Sequence, residues 1–288
     1  VRIGGVSIFI TFISCLLFYN FIHDYGFNFE RLLVIVLGAI FFFLIGIHDD
    51  IYKSSPILRL ILQFLIAFCV SFNGIGFSSL NFYLPFYGNL NIPLTFFIQH
   101  IFNAIWIVGI TNAINWMDGL DGLASGLTGL ASLGISTLAF QNGQFFEAYL
   151  SIILAGCCFG FLRLNFFPAK ILMGDGGSYF IGFNIAFISL LTITSKINPI
   201  GLFSPILTLI IPIFDMSYVL YKRLSTGKSP FLADRGHIHH RLIKLGFSEL
   251  GSVVYLYGLT QLFTVIAICL GSSDNGIYIV FLLGSFFM

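Results

Sequence analysis

Long apolar runs, broken at near-regular intervals by short polar connections, set the pattern of this chain. A helix crosses a ~30 Å hydrocarbon core in about 17–20 apolar residues. Runs of that length fall near 3–20, 30–47, 57–73, 94–113, 123–140, 147–162, 177–194, 201–221 and 251–270, and a partial one begins near 276. The pattern predicts an all-α polytopic integral membrane protein, with nine complete spans and one partial span in this chain. Between the third and fourth spans, the segment 74–93 mixes Asn, Gly and Tyr with Pro85 and Pro93, and reads as a short re-entrant or interfacial loop. Val1 is not an initiator, and the apolar run from Ile277 to Met288 is about 12 residues, too short to cross. The chain is therefore expected to be clipped at both ends. Residues 1–288 read as a single transmembrane helical domain, whose longest polar connection is 222–250.

Composition agrees with that pattern. The 288 residues are 58% hydrophobic and only 9% charged, with a mean hydropathy of +0.99. Soluble chains are roughly a quarter charged, so a soluble domain is excluded. The five cysteines (Cys15, Cys69, Cys157, Cys158 and Cys269) all lie in apolar stretches, with no spacing that marks a zinc site or a disulfide framework.

Charge becomes informative once it is sorted by side. One set of connections and helix ends carries Arg2, Lys53, Arg59, Arg163, Lys170, Lys222, Arg223, Lys228, Arg235, Arg241 and Lys244; the other carries only Arg31 and Lys196. The positive-inside rule makes the first side cytoplasmic. Asp49, Asp50, Asp118, Asp121, Asp175 and Asp234 share that side, and Asp215 sits roughly two turns inside the span leading to it. Asp24, Glu30, Glu147 and Asp274 lie opposite, where loop solvation accounts for them.

Four polar clusters thus meet on one face: Asp49-Asp50 with Lys53 and Arg59; Asn112-Ala-Ile-Asn115-Trp-Met-Asp118-Gly-Leu-Asp121-Gly; Asn165 with Lys170 and Met173-Gly-Asp175-Gly-Gly-Ser178; and Asp234-Arg235-Gly-His237-Ile-His239-His240-Arg241. Each has a bland account alone. Asp-Gly pairs are turn chemistry, Asp49-Asp50 is a solvated helix end, Gly-Asp-Gly-Gly-Ser is a helix start, and His-Ile-His-His is a metal tract without companion cysteines. Four such accidents on one face are not credible together. Carboxylates gathered this closely call for a cation between them. Mg²⁺, or Mn²⁺ in its place, takes one or two carboxylates and fills its other positions with water and substrate phosphate. The neighbouring Lys, Arg and His suit the same phosphates. The combination points to phosphoryl chemistry between a soluble nucleotide and a lipid.

At these residues the sequence resembles the polyprenyl-phosphate N-acetylhexosamine-1-phosphate transferases, from Arg2-Ile-Gly-Gly5 to about Phe247. The stretch Asp215-Met-x(6)-Arg223-x(3)-Gly227-x-Ser229-Pro230-Phe231-x(2)-Asp234 resembles the bacterial branch that passes GlcNAc-1-phosphate from UDP-GlcNAc to undecaprenyl phosphate. That branch begins O-antigen and enterobacterial common antigen synthesis. The resemblance implies a fold of about eleven spans in the full protein and a multi-pass enzyme of the bacterial inner membrane with its site on the cytoplasmic face. It also implies Mg²⁺ dependence. The partners implied are UDP-GlcNAc, undecaprenyl phosphate and the bilayer, with a homodimer left open and no nucleic acid. Asp175 is implied as the metal ligand, and Asp49 and Asp50 as the groups that position and deprotonate the lipid phosphate. Asp118, Asp121 and Asn165 are implied to hold the nucleotide and shape the metal site. Lys53, Arg59, His237, His239 and His240 are implied on phosphates or sugar, with Asn112, Asn115 and Arg235 in the same binding set. The position before Met173, often Phe in that family, is Leu172.

Within the same chemistry, another UDP-N-acetylhexosamine or the UDP-muramyl pentapeptide remains an alternative donor. From other classes, an intramembrane aspartyl protease fails for want of a Tyr-Asp partner to Gly174-Asp175. A CDP-alcohol phosphotransferase fails on the spacing at Asp121-Gly-Leu-Ala124. An ion-coupled transporter needs acids through the midplane, whereas these cluster at one interface.

Overall fold

The computed structural model describes residues 4–22, 29–73, 76, 79–84, 88–193, 203–231 and 236–271. In chain order the elements are α1 (Gly4–Ile22), α2 (Phe29–Tyr52), α3 (Pro56–Ser71), β1 (Ser79–Leu84), β2 (Gly88–Pro93), α4 (Phe96–Met117), α5 (Leu123–Gln141), α6 (Phe145–Asn165), α7 (Gly174–Ile193), α8 (Phe203–Thr208), α9 (Ile210–Ser225), α10 (Ile238–Lys244) and α11 (Glu249–Gly271). Among the described residues, six helices are long and apolar enough to cross a membrane: α2, α4, α5, α6, α7 and α11. The apolar stretches of α1 and α3 are shorter; the 16 residues of α3 rise about 24 Å. The span expected at 201–221 is two helices, and the partial span beginning near 276 lies outside the described residues. The protein is a multi-pass, helical membrane protein.

Helix α7 is the axis of the bundle. It is apolar on all sides, the signature of a helix surrounded by others, and every residue from Gly176 to Leu191 is buried. Its main neighbours are α1, α2, α4, α5 and α6, with α8 touching it more lightly. On α2, Ile35, Ala39, Phe42 and Phe43 face inward while Leu33, Leu37, Phe41 and Leu44 remain exposed. Both faces are apolar, and only the inner one packs; the outer one faces lipid. Phe42 stacks on Phe183 with centroids 4.7 Å apart, and Phe12 meets Phe180 edge-on at 5.5 Å. Gly46 lets the α2 and α7 backbones touch: a Cβ there would collide with the Asp175 carbonyl. At the same end, the N–H groups of Gly4 and Gly5 donate to the carbonyls of Leu172 (3.0 Å) and Met173 (2.9 Å), tying the start of α1 to the approach to α7.

Two elements depart from the expected pattern. The segment 74–93, expected as a re-entrant or interfacial loop, contains an antiparallel hairpin that pairs Ser79 with Pro93 through to Leu84 with Gly88. Its two runs alternate polar and apolar residues, which is strand rather than helix periodicity; pairing satisfies their backbone. The second departure is the break between α8 and α9. Pro212 has no N–H to give the Thr208 carbonyl, and Leu209 leaves the helical region (φ −106°, ψ 14°). Proline is tolerated in the first turn of a helix, so α9 restarts at Ile210 and carries Asp215 and Arg223 to the polar face.

Candidate active site at one membrane face

The ends of α2, α4, α6 and α9 and the starts of α1, α3, α5, α7 and α11 gather on one face, and the described residues of the four polar clusters go with them. Between α2 and α3 the turn is three residues long. Lys53 takes a left-handed conformation (φ 50°), the Ser55 hydroxyl accepts from the Leu58 N–H at 3.2 Å, and Pro56 opens α3. Ser at the cap and Pro just inside it are the expected start of a helix. This tight reversal sets Arg59 opposite Asp49, with which it makes a part-buried ion pair. The same guanidinium lies 3.8 Å from the Asp175 Oδ2, so one arginine bridges two of the predicted carboxylates. Lys53 itself is exposed.

Asp175 stands in the first turn of α7. Asn115 Nδ2 donates to its Oδ1 (2.9 Å) and to the Ser178 hydroxyl (2.8 Å), joining the Asn112–Asp121 segment to α7. Asp50 Oδ2 accepts the Gly176 N–H at 3.1 Å, a carboxylate at a helix N-terminus. Asp50 Oδ1 is buried with no hydrogen-bond partner. Asn112 donates to the Gln63 Oε1 at 2.7 Å.

The rest of the Asn112–Asp121 segment is bracketed from outside. Asp118 caps the end of α4. Asp121 Oδ2 accepts the Ala169 N–H at 2.9 Å, which fixes the loop between α6 and α7. Asn165, 2% exposed, accepts from the Gly122 N–H (3.2 Å) and the Ser125 hydroxyl (3.1 Å), and donates to the Ile171 carbonyl (2.9 Å). Asp121 and Asn165 therefore brace the loops in this structure, whereas Asp49, Asp50, Arg59, Asn115 and Asp175 converge. Tyr257, on α11, adds a hydrogen bond to the Gly122 carbonyl at 2.6 Å; no motif marked it.

The histidines close the site from the 222–250 connection. His237 Nδ1 lies 2.7 Å from the Asp215 Oδ2, and the Ile238 N–H donates to Asp215 Oδ1 at 2.5 Å. The His237 ring meets Trp116 edge-on at 5.4 Å and lies parallel to His239 at 5.7 Å. His239 packs on Gly119, where a Cβ would sit 2.6 Å from its Nε2. Burial, with His240 and His237 beside it, lowers its pKa to about 4, so it is neutral at pH 7. His240 lies against His239, ring centroids 4.3 Å apart. Arg223 stacks over Trp116 at 5.1 Å and donates to the Pro230 carbonyl at 2.5 Å. Arg235 and Asp234 lie outside the described residues.

A cavity of about 590 Å³ runs from this face between α3, α4 and α9. Arg59, Asn115, Arg223 and His237 line its head; Leu60, Phe64, Ile105, Val108 and Met216 line the part deeper in the bundle. Ile105 is half-exposed to the lipid side, so the groove opens laterally. Trp116, Tyr179 and Arg223, absent from the predicted site, belong to it. Trp116 stands inside the Asn112–Asp121 motif and Arg223 inside the Asp215–Asp234 stretch, which is the signal that could have found these two; their contact appears only once α4 and α9 are packed.

Among the described residues, no three His, Cys, Asp or Glu side chains are arranged as a ready-made metal cluster. The donors present still suit a hard cation completed by a substrate's oxygens: the Asp175 carboxylate lies against that of Asp49, and Asp50, held at the same helix start by the Gly176 N–H, has a second oxygen that is buried and unpartnered.

Fold and site together define a multi-pass membrane protein with an acid-and-base cluster at one face and a lipid-open groove leading from it. The chain belongs to glycosyl transferase family 4, whose model matches residues 32–193. It is 35% identical, over 98% of its length and 77% of the relative's, to the probable undecaprenyl-phosphate N-acetylglucosaminyl 1-phosphate transferase of Bacillus subtilis. It is 31% identical to the decaprenyl-phosphate N-acetylglucosaminephosphotransferase of Mycobacterium tuberculosis (89% of this chain, 68% of the relative). It is also 30% identical to the undecaprenyl-phosphate alpha-N-acetylglucosaminyl 1-phosphate transferase of Escherichia coli K12 (86% and 66%).

Proposed function

We propose that this protein transfers GlcNAc-1-phosphate from UDP-GlcNAc to undecaprenyl phosphate at the cytoplasmic face of the bacterial inner membrane, giving undecaprenyl-pyrophosphate-GlcNAc and UMP. The observation that carries this reading is the groove: a cationic head beside three carboxylates, continuous with an apolar channel open to lipid. A polyprenyl phosphate has that shape and polarity. The relatives' names supply the sugar and the carrier.

An oxygen of the lipid phosphate attacks the β-phosphorus of the nucleotide sugar, and the bond from that phosphorus to the UMP oxygen breaks. Arg59, Arg223 and His237 hold phosphate oxygens at the head of the groove. Asn115 orients Asp175, and the α7 N-terminus holds Asp50. Asp175, with the Asp49 carboxylate against it, would hold Mg²⁺ or Mn²⁺, which supplies charge stabilisation to the transferring phosphoryl group. The product begins a cell-envelope polysaccharide of the O-antigen or common-antigen type.

The test is UMP release by the protein in detergent, with undecaprenyl phosphate and Mg²⁺, from UDP-GlcNAc, UDP-GalNAc and UDP-MurNAc-pentapeptide offered separately. UMP from UDP-GlcNAc alone, abolished by EDTA, is expected. Release from another donor instead would replace the substrate, and release from none would refute the reaction. Asp175→Asn is expected to remove the metal-dependent turnover while leaving a folded protein; retention of most activity would overturn its assignment as ligand.

A further inference from the structure

Asp215 is 2% exposed, in the second turn of α9, a costly place for a carboxylate unless the groups around it need one. Its two oxygens receive two different donors: the Ile238 N–H at the start of α10, and His237 Nδ1. A carboxylate only accepts, so His237 Nδ1 carries the proton, and the second ring nitrogen, Nε2, is left unprotonated or free to take a proton. His237 lines the head of the 590 Å³ groove with Arg59, Asn115 and Arg223. Trp116 closes on the ring edge-on and His239 lies parallel to it, so the imidazole has little room to turn.

We infer that Asp215 is a positioning residue: it sets the tautomer and orientation of His237, so that proton exchange and hydrogen bonding with the lipid or nucleotide phosphate pass through Nε2 alone. This rests on the transfer reaction proposed above. The geometry gives the idea a sharp consequence. In Asp215→Asn the carboxamide oxygen is required by the Ile238 N–H, so its NH₂ group faces His237 Nδ1. Both hydrogen bonds survive only if His237 moves its proton to Nε2. The substitution therefore keeps the packing and reverses the tautomer.

The experiment has two readouts on protein labelled with ¹⁵N-histidine in detergent. The His237 nitrogen shifts, assigned by comparison with His237→Ala, are expected to report Nδ1–H in the wild type and Nε2–H in Asp215→Asn. Turnover of Asp215→Asn is expected to fall by about 100-fold or more in kcat, as wrong-tautomer substitutions do, with KM for the UDP-sugar within about 3-fold. Asp215→Glu is expected to recover part of that loss, and Asp215→Asn in a His237→Ala background to cost little further. A wild-type Nε2–H tautomer, a kcat within about 3-fold of wild type, or independent multiplication of the two losses would each overturn the inference. If Asp215→Asn does not fold, the wild-type spectrum alone still decides. Absence of UMP release by the wild type would instead refute the transfer reaction and leave the tautomer measurement standing.

Discussion

Arg59 is the single side chain on which the acidic face depends most. Asp49 is nearly buried and its partner only 22% exposed, so Arg59→Ala leaves a carboxylate with little water and no counter-charge. Breaking a fully buried pair costs about 3–5 kcal/mol. With partial exposure the expected loss is about 2 kcal/mol, read as a lowered midpoint of denaturant unfolding in detergent, together with loss of turnover. His239 makes a different claim. Its pKa falls from the ordinary 6.5 to about 4 on folding, so below pH 6.5 the unfolded chain binds a proton that the folded chain refuses. The group's contribution is therefore intact above about pH 6.5 and is lost as the pH falls towards 4. His239→Gln is expected to flatten the decline in unfolding midpoint between pH 7 and 4.5; an unchanged slope would show that His239 is already charged in the folded protein. The carboxylates of this face were legible in the sequence because each is charged at the edge of an apolar span. Their division of labour was not. Asp121 and Asn165 share motifs with Asp118 and Asp175, yet spend their hydrogen bonds on the loop at 169–171 and on Gly122, because motif spacing does not say where a side chain points.

At the scale of elements, the contact of α2 with α7 fixes the distance between Asp50 and the start of α7. Gly46→Ala introduces a methyl group against the Asp175 carbonyl. Overpacking of this kind costs about 1–3 kcal/mol, and here it also moves the Gly176 N–H away from Asp50. Lower stability and lower turnover are expected together; a variant matching wild type in both would show that the two helices can separate without effect. The helices were readable from the length and hydropathy of the apolar runs, and their order and boundaries fell close to expectation. The break at Leu209 was not anticipated, although Pro212 stood in the run, because an apolar stretch of spanning length reads as one helix when only length and hydropathy are weighed. The hairpin at 79–93 escaped for the converse reason: two six-residue strands carry too short an alternation to stand out beside so many long apolar runs.

At the scale of the whole molecule, the spans deliver the described residues of all four polar clusters to one face, and in the sequence the basic residues sort with them. The orientation predicted from that bias is testable in a background with the five native cysteines replaced by alanine. A membrane-impermeant maleimide applied to spheroplasts is expected to label Gln141→Cys and to spare Lys228→Cys until the membrane is opened; the reverse pattern would put the site outside. The family was legible because its motifs keep their order along the chain. The lipid-open groove was not, since Leu60, Phe64, Ile105 and Met216 look like any other span residues until α3, α4 and α9 are packed together. In the proposed reaction the bond broken lies between the two phosphates of the nucleotide sugar, and the most direct test identifies both products of one reaction. With UDP-GlcNAc, undecaprenyl phosphate and Mg²⁺, mass spectrometry is expected to find UMP and undecaprenyl-pyrophosphate-GlcNAc in equal amounts. UDP with a sugar joined to the lipid through a single phosphate would mean that the sugar–oxygen bond breaks instead, and would contradict the account.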